Sequence, residues 1–176
     1  SFAGKETVQI YVQAPYTEYN KQHGVEKASV VLCGFGKTGL LQPQESETLT
    51  IYVDRADLAS YDAYGERTYI LDPGNYYFAA ATDAHDAVKS ILAAKGYTPE
   101  NTDGRRDGTG NIKMVYTWNE AQFDATTYSL SDTGAVITNQ LDMADLNMYA
   151  GSPSKITYLS RNDWEGTFPK EITKLS

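Results

Sequence analysis

The sequence has a single cysteine, Cys33, so it cannot form an intrachain disulfide. It has no Asn-x-Ser/Thr sequon. Its N-terminus, Ser1-Phe2-Ala3-Gly4-Lys5, carries no basic and apolar leader. Together these absences favour a cytoplasmic over a secreted location. No stretch approaches the ~18 apolar residues of a membrane-spanning helix. Clustered positive charge is also missing. The net charge is −8, and the one basic cluster, Arg105-Arg106, is flanked by Asp103 and Asp107. Nucleic acids and anionic membranes are held by clustered Lys and Arg, so neither is an expected partner.

What the sequence does have is tyrosine, 14 in all. Tyrosine suits half-buried strand faces, and it is also a side chain on which sugars stack. Residues 6–13 alternate strictly, with Val8, Ile10 and Val12 on one face, as a half-buried strand does. Residues 28–35 are β-branched and apolar and then break at Gly34, Gly36 and Gly39, read as strand-edge bends. Residues 47–53 alternate again, with Leu49, Ile51 and Val53 inward. Tyr69-Ile70-Leu71, the turn 72–75 and residues 76–80 predict a hairpin. Short strands with turns every ten or so residues indicate an antiparallel β-sandwich.

The pattern changes at Asp83. Ala84, Ala87, Val88, Ile91 and Leu92 form one stripe of an amphipathic helix over about 83–96, capped by Asp83 or Thr82 and stopped at Gly96. Residues 98–110 read as a mobile polar loop, and Ile112, Met114, Tyr116 and Trp118 as a further strand. The segment 126–176 reads as a tail with local structure only: a short strand at 135–138 and two helical turns at 142–149. Such a tail cannot bury its own apolar residues.

The order of short motifs resembles one family. Val8-Gln9-Ile10-Tyr11-Val12, Leu32-Cys33-Gly34-Phe35-Gly36-Lys37, Gln42-Pro43-Gln44-Glu45-Ser46-Glu47-Thr48, Leu58-Ala59-Ser60-Tyr61-Asp62 and Pro73-Gly74-Asn75-Tyr76-Tyr77 are similar, in sequence order, to the fibronectin type III-like domain of family 3 glycoside hydrolases. Gln44 stands where that family usually has glycine. Asp83-Ala84-His85-Asp86-Ala87, Ile137-Thr138-Asn139-Gln140 and the run 158–169 resemble a bacterial subgroup with inverted domain order, in which a (β/α)8 barrel follows this domain. The resemblance implies a mainly β, immunoglobulin/fibronectin type III-like antiparallel β-sandwich with one amphipathic helix and an extended C-terminal tail. Residues 1–97 would be the sandwich and helix, 98–125 a polar loop and added strand, and 126–176 a connector towards the barrel. The parent would be a retaining, β-glucosidase-like enzyme. This piece would be its non-catalytic structural module, partnered by the catalytic domains of the same chain, with no cofactor. The alternative is an independent carbohydrate-binding or adhesion module with a tyrosine-rich face.

Few residues here suggest chemistry. Asn162-Asp163-Trp164 is similar to the family's Ser-Asp-Trp nucleophile motif. A retaining glycosidase needs a second carboxylate about 5–5.5 Å away, and a barrel of about 250 residues has no room in this sequence. No catalytic residue is therefore expected, and Tyr158, Leu159, Ser160, Arg161, Asp163 and Trp164 are read as a connector motif. His85 with Asp83 and Asp86 lacks a second histidine at ligand spacing, so no metal is expected. Cys33, in an apolar strand, reads as buried and inert. The candidate contact residues are Tyr16, Tyr19 and His23, in a loop at 15–24 that could face a neighbouring domain or a sugar.

Overall fold

A computed structural model describes residues 2–151 and 155–164. The chain divides into two compact units. One comprises 1–16, 27–60 and 71–124, and the other 17–26, 61–70 and 125–176.

The first unit is built on a four-stranded antiparallel sheet of β1 (Thr7–Gln13), β2 (Val31–Lys37), β5 (Gly74–Ala81) and β6 (Val115–Glu120), in the order β2-β1-β5-β6. The period-2 pattern of β1 sorts its side chains onto two faces. Gln9, Tyr11 and Gln13 lie opposite Ala81, Ala79 and Tyr77, and this face is covered by α2 (Ala84–Ala94). Tyr11, Ala79, Ala81, Ala87 and Ile91 form the buried cluster between them, with Val30, Tyr77 and Val115 packed around it. The small side chains of Ala79 and Ala81 let the helix approach the sheet closely. Asp83 caps α2 by accepting from the Asp86 amide at 2.8 Å, and Gly96 follows the helix at φ 83°. The helix is where its apolar stripe predicted it.

The other face carries Val8, Ile10, Val12, Tyr76, Phe78, Tyr116 and Trp118, matched by register. Gly36 and Gly34 sit opposite Val8 and Ile10 on this face. The register of β1 against the edge strand β2 shifts beside Gly34, between Ile10 and Tyr11, so a bend there agrees with the sequence, whereas Gly36 continues the regular ladder. A Cβ on Gly34 would come within 2.9 Å of Ile51 Cγ2, and one on Gly36 within 3.4 Å of Leu49 Cδ1. The two glycines make room for the segment 47–53, which lies over the sheet as the second layer of the sandwich. Leu49, Ile51 and Val53 are half-buried and Thr48, Thr50 and Tyr52 exposed, so the expected alternation holds, although the segment forms no strand ladder. It continues across the sheet to β6, where the Arg55 guanidinium stands 5.3 Å from the Trp118 ring and pairs with Glu120. Tyr76 packs on Trp118 at 5.1 Å, and its hydroxyl donates to the Asp72 carbonyl at 3.1 Å. Lys27 and Asp72 form an ion pair with almost no solvent access.

The predicted hairpin through Tyr69 and Tyr76 does not form. β4 (Tyr69–Ile70) pairs with β3 (Ser60–Tyr61), while β5 pairs with β1 and β6. Leu71 instead bridges Asp124, with reciprocal backbone bonds of 2.8 and 3.0 Å. The turn residues Asp72-Pro73-Gly74 fit either reading, and burial of Ile70, Leu71 and Asp72 decides it. The loop 98–110 is tied to α2 and not merely solvated. Lys89 pairs with Asp107 at 2.5 Å, and the Asn111 amide donates to Ser90 Oγ at 3.0 Å. Gly110, at φ 127°, lies where a Cβ would strike the Lys89 carbonyl.

In the second unit, α1 (Glu18–His23) occupies what the sequence presented as a plain polar loop. Thr17 and Asn20 make a reciprocal capping box, and Gly24 ends the helix at φ 64°. The tail has less regular structure than expected. Val136 makes one bridge, to Leu130, and the two helical turns of 142–149 reduce to one short turn at Asp142–Ala144. The span is too short to hold a longer helix without packing, and its apolar side chains are exposed.

Candidate functional site

The loop between β3 and β4 is organised by one carboxylate. Asp62 is fully buried, and its two oxygens accept the backbone amides of Tyr64 (3.2 Å), Gly65 (2.8 Å) and Glu66 (2.8 Å) and the Tyr19 hydroxyl (2.5 Å). Burial alone would raise the Asp62 pKa, but these four donors overcome it and hold the carboxyl below the ordinary aspartate value. The Tyr19 hydroxyl is pushed well above the normal phenol range by burial, then by its bond to Asp62. His23 stacks on Tyr19 with ring centroids 4.0 Å apart and contacts the Tyr19 carbonyl through Nδ1 at 2.9 Å. Any Cβ on Gly65 would overlap Asp62 and Tyr19, so the loop closes only with glycine there. The carboxylate has no role left as an acid or base. It fixes the loop.

The loop presents a cleft of about 350 Å³, lined by Tyr61, Tyr64, Arg67, Thr138, Asn139 and Asp142. The Tyr61 hydroxyl is committed, donating to the Arg67 carbonyl at 3.3 Å, and burial, then the nearby Asp145 and Asp142 charges, push the Tyr64 hydroxyl above the usual phenol value. Tyr64 also lies over Gly24, whose Cβ, if present, would touch its ring at 3.6 Å. Tyr61 is braced edge-on by Tyr69 at 5.4 Å. Arg67 adopts φ 57°, an unusual left-handed conformation for a residue with a side chain. Asn139 donates to Asp142 Oδ1 and accepts from the Leu141 amide at 2.9 Å.

Of the residues singled out in the sequence, Tyr19 and His23 belong to this arrangement as supports beneath the loop. Tyr16 is half-buried in the other unit. Tyr158 donates to Asp145 Oδ1 and accepts from the Leu146 amide, at 2.8 and 2.9 Å. Arg161 donates its amide to Glu26 at 3.2 Å. Asp163 lies in a turn where the Trp164 amide reaches the Ser160 carbonyl at 2.8 Å and the Asn162 amide Ser160 Oγ at 3.0 Å. Leu159 and Trp164 are exposed, while Glu165 and the residues beyond lie outside the described residues. Among the described residues no three His, Cys, Asp or Glu side chains are grouped to hold a metal. Tyr61, Tyr64, Arg67 and Asp142 were not singled out. The available signal was Asp62-x-x-Gly65, in which an Asp side chain caps its own turn.

Residues 6–84 match the model of the fibronectin type III-like domain. Beta-glucosidase of Ruminococcus albus is 43% identical over an alignment of 91 residues that covers 49% of this chain and 9% of that protein. Beta-glucosidase A of Butyrivibrio fibrisolvens is 41% identical over 86 residues, 47% of this chain and 10% of that protein. The chain thus spans about a tenth of the length of the curated relatives it matches. Among solved structures, beta-glucosidase 3B of Thermotoga neapolitana aligns over 70% of this chain and 12% of its own, at 23% identity and a TM-score of 0.46. Residues 6–84 of this chain are a fibronectin type III-like domain of the kind found in beta-glucosidases.

Proposed function

We propose that the chain is the non-catalytic structural module of a family 3 glycoside hydrolase, holding the catalytic domains of its parent at a fixed separation. The observation that carries this reading is the exposed apolar surface of the tail. Leu141, Met143, Leu146 and Tyr149 are each 70–85% exposed. Large apolar side chains left exposed along one short segment fit a surface that docks on something else. The similarity to a short segment of two beta-glucosidases supports the rest of a much longer chain as that partner. Connector residues 155–164 fit the same role, since their bonds fix a path for the backbone and leave Leu159 and Trp164 outward. Buttressing matters to catalysis because a small displacement of catalytic groups costs large factors in rate.

The test is hydrolysis of an aryl β-glucoside by the purified 176-residue chain and by the parent with four tail residues changed to serine (Leu141, Met143, Leu146 and Tyr149). We expect no turnover by the chain alone. The parent variant should lose activity while its fibronectin type III-like domain stays folded. Turnover by the chain that disappears in Asp163→Asn would overturn the reading.

A further inference from the structure

The cleft over the β3–β4 loop has the composition of a ligand site and not of a structural seam. Tyr61 has spent its hydroxyl on the Arg67 carbonyl, so what it offers the cleft is ring face, and Tyr64 adds a second ring beside it. The ring of Tyr64 is held by packing over Gly24 and by its own backbone amide bond to Asp62. It is nevertheless 62% exposed. A rigid, exposed ring suits the apolar C–H face of a pyranose at little entropic cost.

Around the rings the unsatisfied groups are both donors and acceptors. The Arg67 guanidinium makes no hydrogen bond or ion pair among the described residues. Asp142 uses only Oδ1, and Thr138 accepts from Gln140 at 3.0 Å but keeps its hydroxyl proton. One cation and one carboxylate leave the cleft without net charge, which disfavours a phosphate or other anion and suits paired hydroxyls. The left-handed backbone at Arg67 costs free energy, and such outliers gather at binding sites. A volume of about 350 Å³ lies at the small end of ligand pockets.

We propose that this cleft binds a neutral oligosaccharide, with Tyr61 and Tyr64 stacking on its sugar rings and Arg67, Thr138 and Asp142 holding its hydroxyls. The existence of this site is independent of the buttressing role: the hydrolysis assay above reads one and ligand binding the other.

The experiment is an amide-resolved NMR titration of the 176-residue chain with cellotriose, with inorganic phosphate as a parallel probe. Saturable shifts confined to residues 61–67 and 138–142 are expected with cellotriose and not with phosphate. Arg67→Gly is the discriminating variant, because glycine accepts the left-handed backbone without strain. Its melting temperature should be unchanged or higher, while affinity falls about tenfold or more. Tyr64→Phe should retain binding through the ring, and Tyr64→Ala should lose it. The proposal fails if cellotriose gives no saturable shift up to on the order of tens of millimolar. It also fails if phosphate binds more tightly at the same amides, or if folded Arg67→Gly binds like the parent chain.

Discussion

Tyr19 donates its hydroxyl to Asp62 Oδ2 at 2.5 Å across 43 positions of sequence, and this bond joins α1 to the loop that carries the cleft. The same carboxylate accepts three successive backbone amides. Replacing it with alanine strands buried donors, which should cost about 2–4 kcal/mol in urea unfolding. Tyr19→Phe should cost about 1–2 kcal/mol. The two changes together should cost less than their sum, since they remove one shared interaction. Additive values would show that the bond contributes nothing.

The same carboxylate gives the pH dependence a definite sign. Its folded pKa lies below that of the unfolded chain, so the folded state binds fewer protons in the acid range. The stabilisation is therefore complete above the unfolded value of about 3.9 and is lost as pH falls through the depressed folded value. Urea midpoints between about pH 6 and 3 should fall in the parent chain. In Asp62→Asn they should start lower and fall less. Parallel profiles would assign the acid sensitivity to other carboxylates.

Gly34 tests the second layer of the sandwich. A Cβ there would stand 2.9 Å from Ile51 Cγ2. Gly34→Ala should cost about 1–3 kcal/mol by overpacking, and much of that cost should vanish in an Ile51→Ala background. An equal cost in both backgrounds would mean that strand propensity and not close approach is responsible.

These cases show which parts of the fold were legible in the sequence. α2 was, because five apolar residues on one stripe and an Asp cap encode it locally. The inward set of 47–53 was, because alternation survives whether or not a segment makes a ladder. The pairing of Tyr69–Ile70 with Ser60–Tyr61 was not, since a turn sequence at 72–75 does not say which strand an extended segment meets. The close approach of residues 47–53 to Gly34 and Gly36 was not legible, because a glycine that bends an edge and one that admits a neighbour look identical without the neighbour. At the cleft, Tyr19 and His23 were identified but their place was not. They support the loop from beneath, and the exposed groups come from residues 61–67 and 138–142, distant in sequence.

The buried pair of Lys27 and Asp72 should show asymmetric energetics. Burial lowers the Lys27 pKa, and the Asp72 carboxylate works against that shift. Lys27→Met removes the cation facing the buried Asp72 carboxylate and should cost about 3–5 kcal/mol. Adding Asp72→Leu should recover most of that loss, since an apolar pair of similar volume replaces an ion pair at little net cost. Thermal unfolding of both variants decides it; a double variant as unstable as the single would mean that Asp72 is needed for its backbone surroundings and not for its charge.

Cys33 is half-buried in β2, and its thiol contacts the Ile10 carbonyl at 3.4 Å. Burial chiefly, with the charge of Asp57 adding to it, pushes the thiol up to about 11. The thiolate is the reactive species, and an ordinary cysteine titrates near 8.5. At neutral pH the folded chain should therefore hold on the order of a few hundredfold less thiolate than the unfolded one. Reaction with Ellman's reagent should be slower in the folded chain by at least that factor, and urea should release it in step with unfolding. Rapid labelling of the folded chain would show instead that β2, the edge strand under residues 47–53, opens locally and often, and that the second layer of the sandwich is held only weakly on the first.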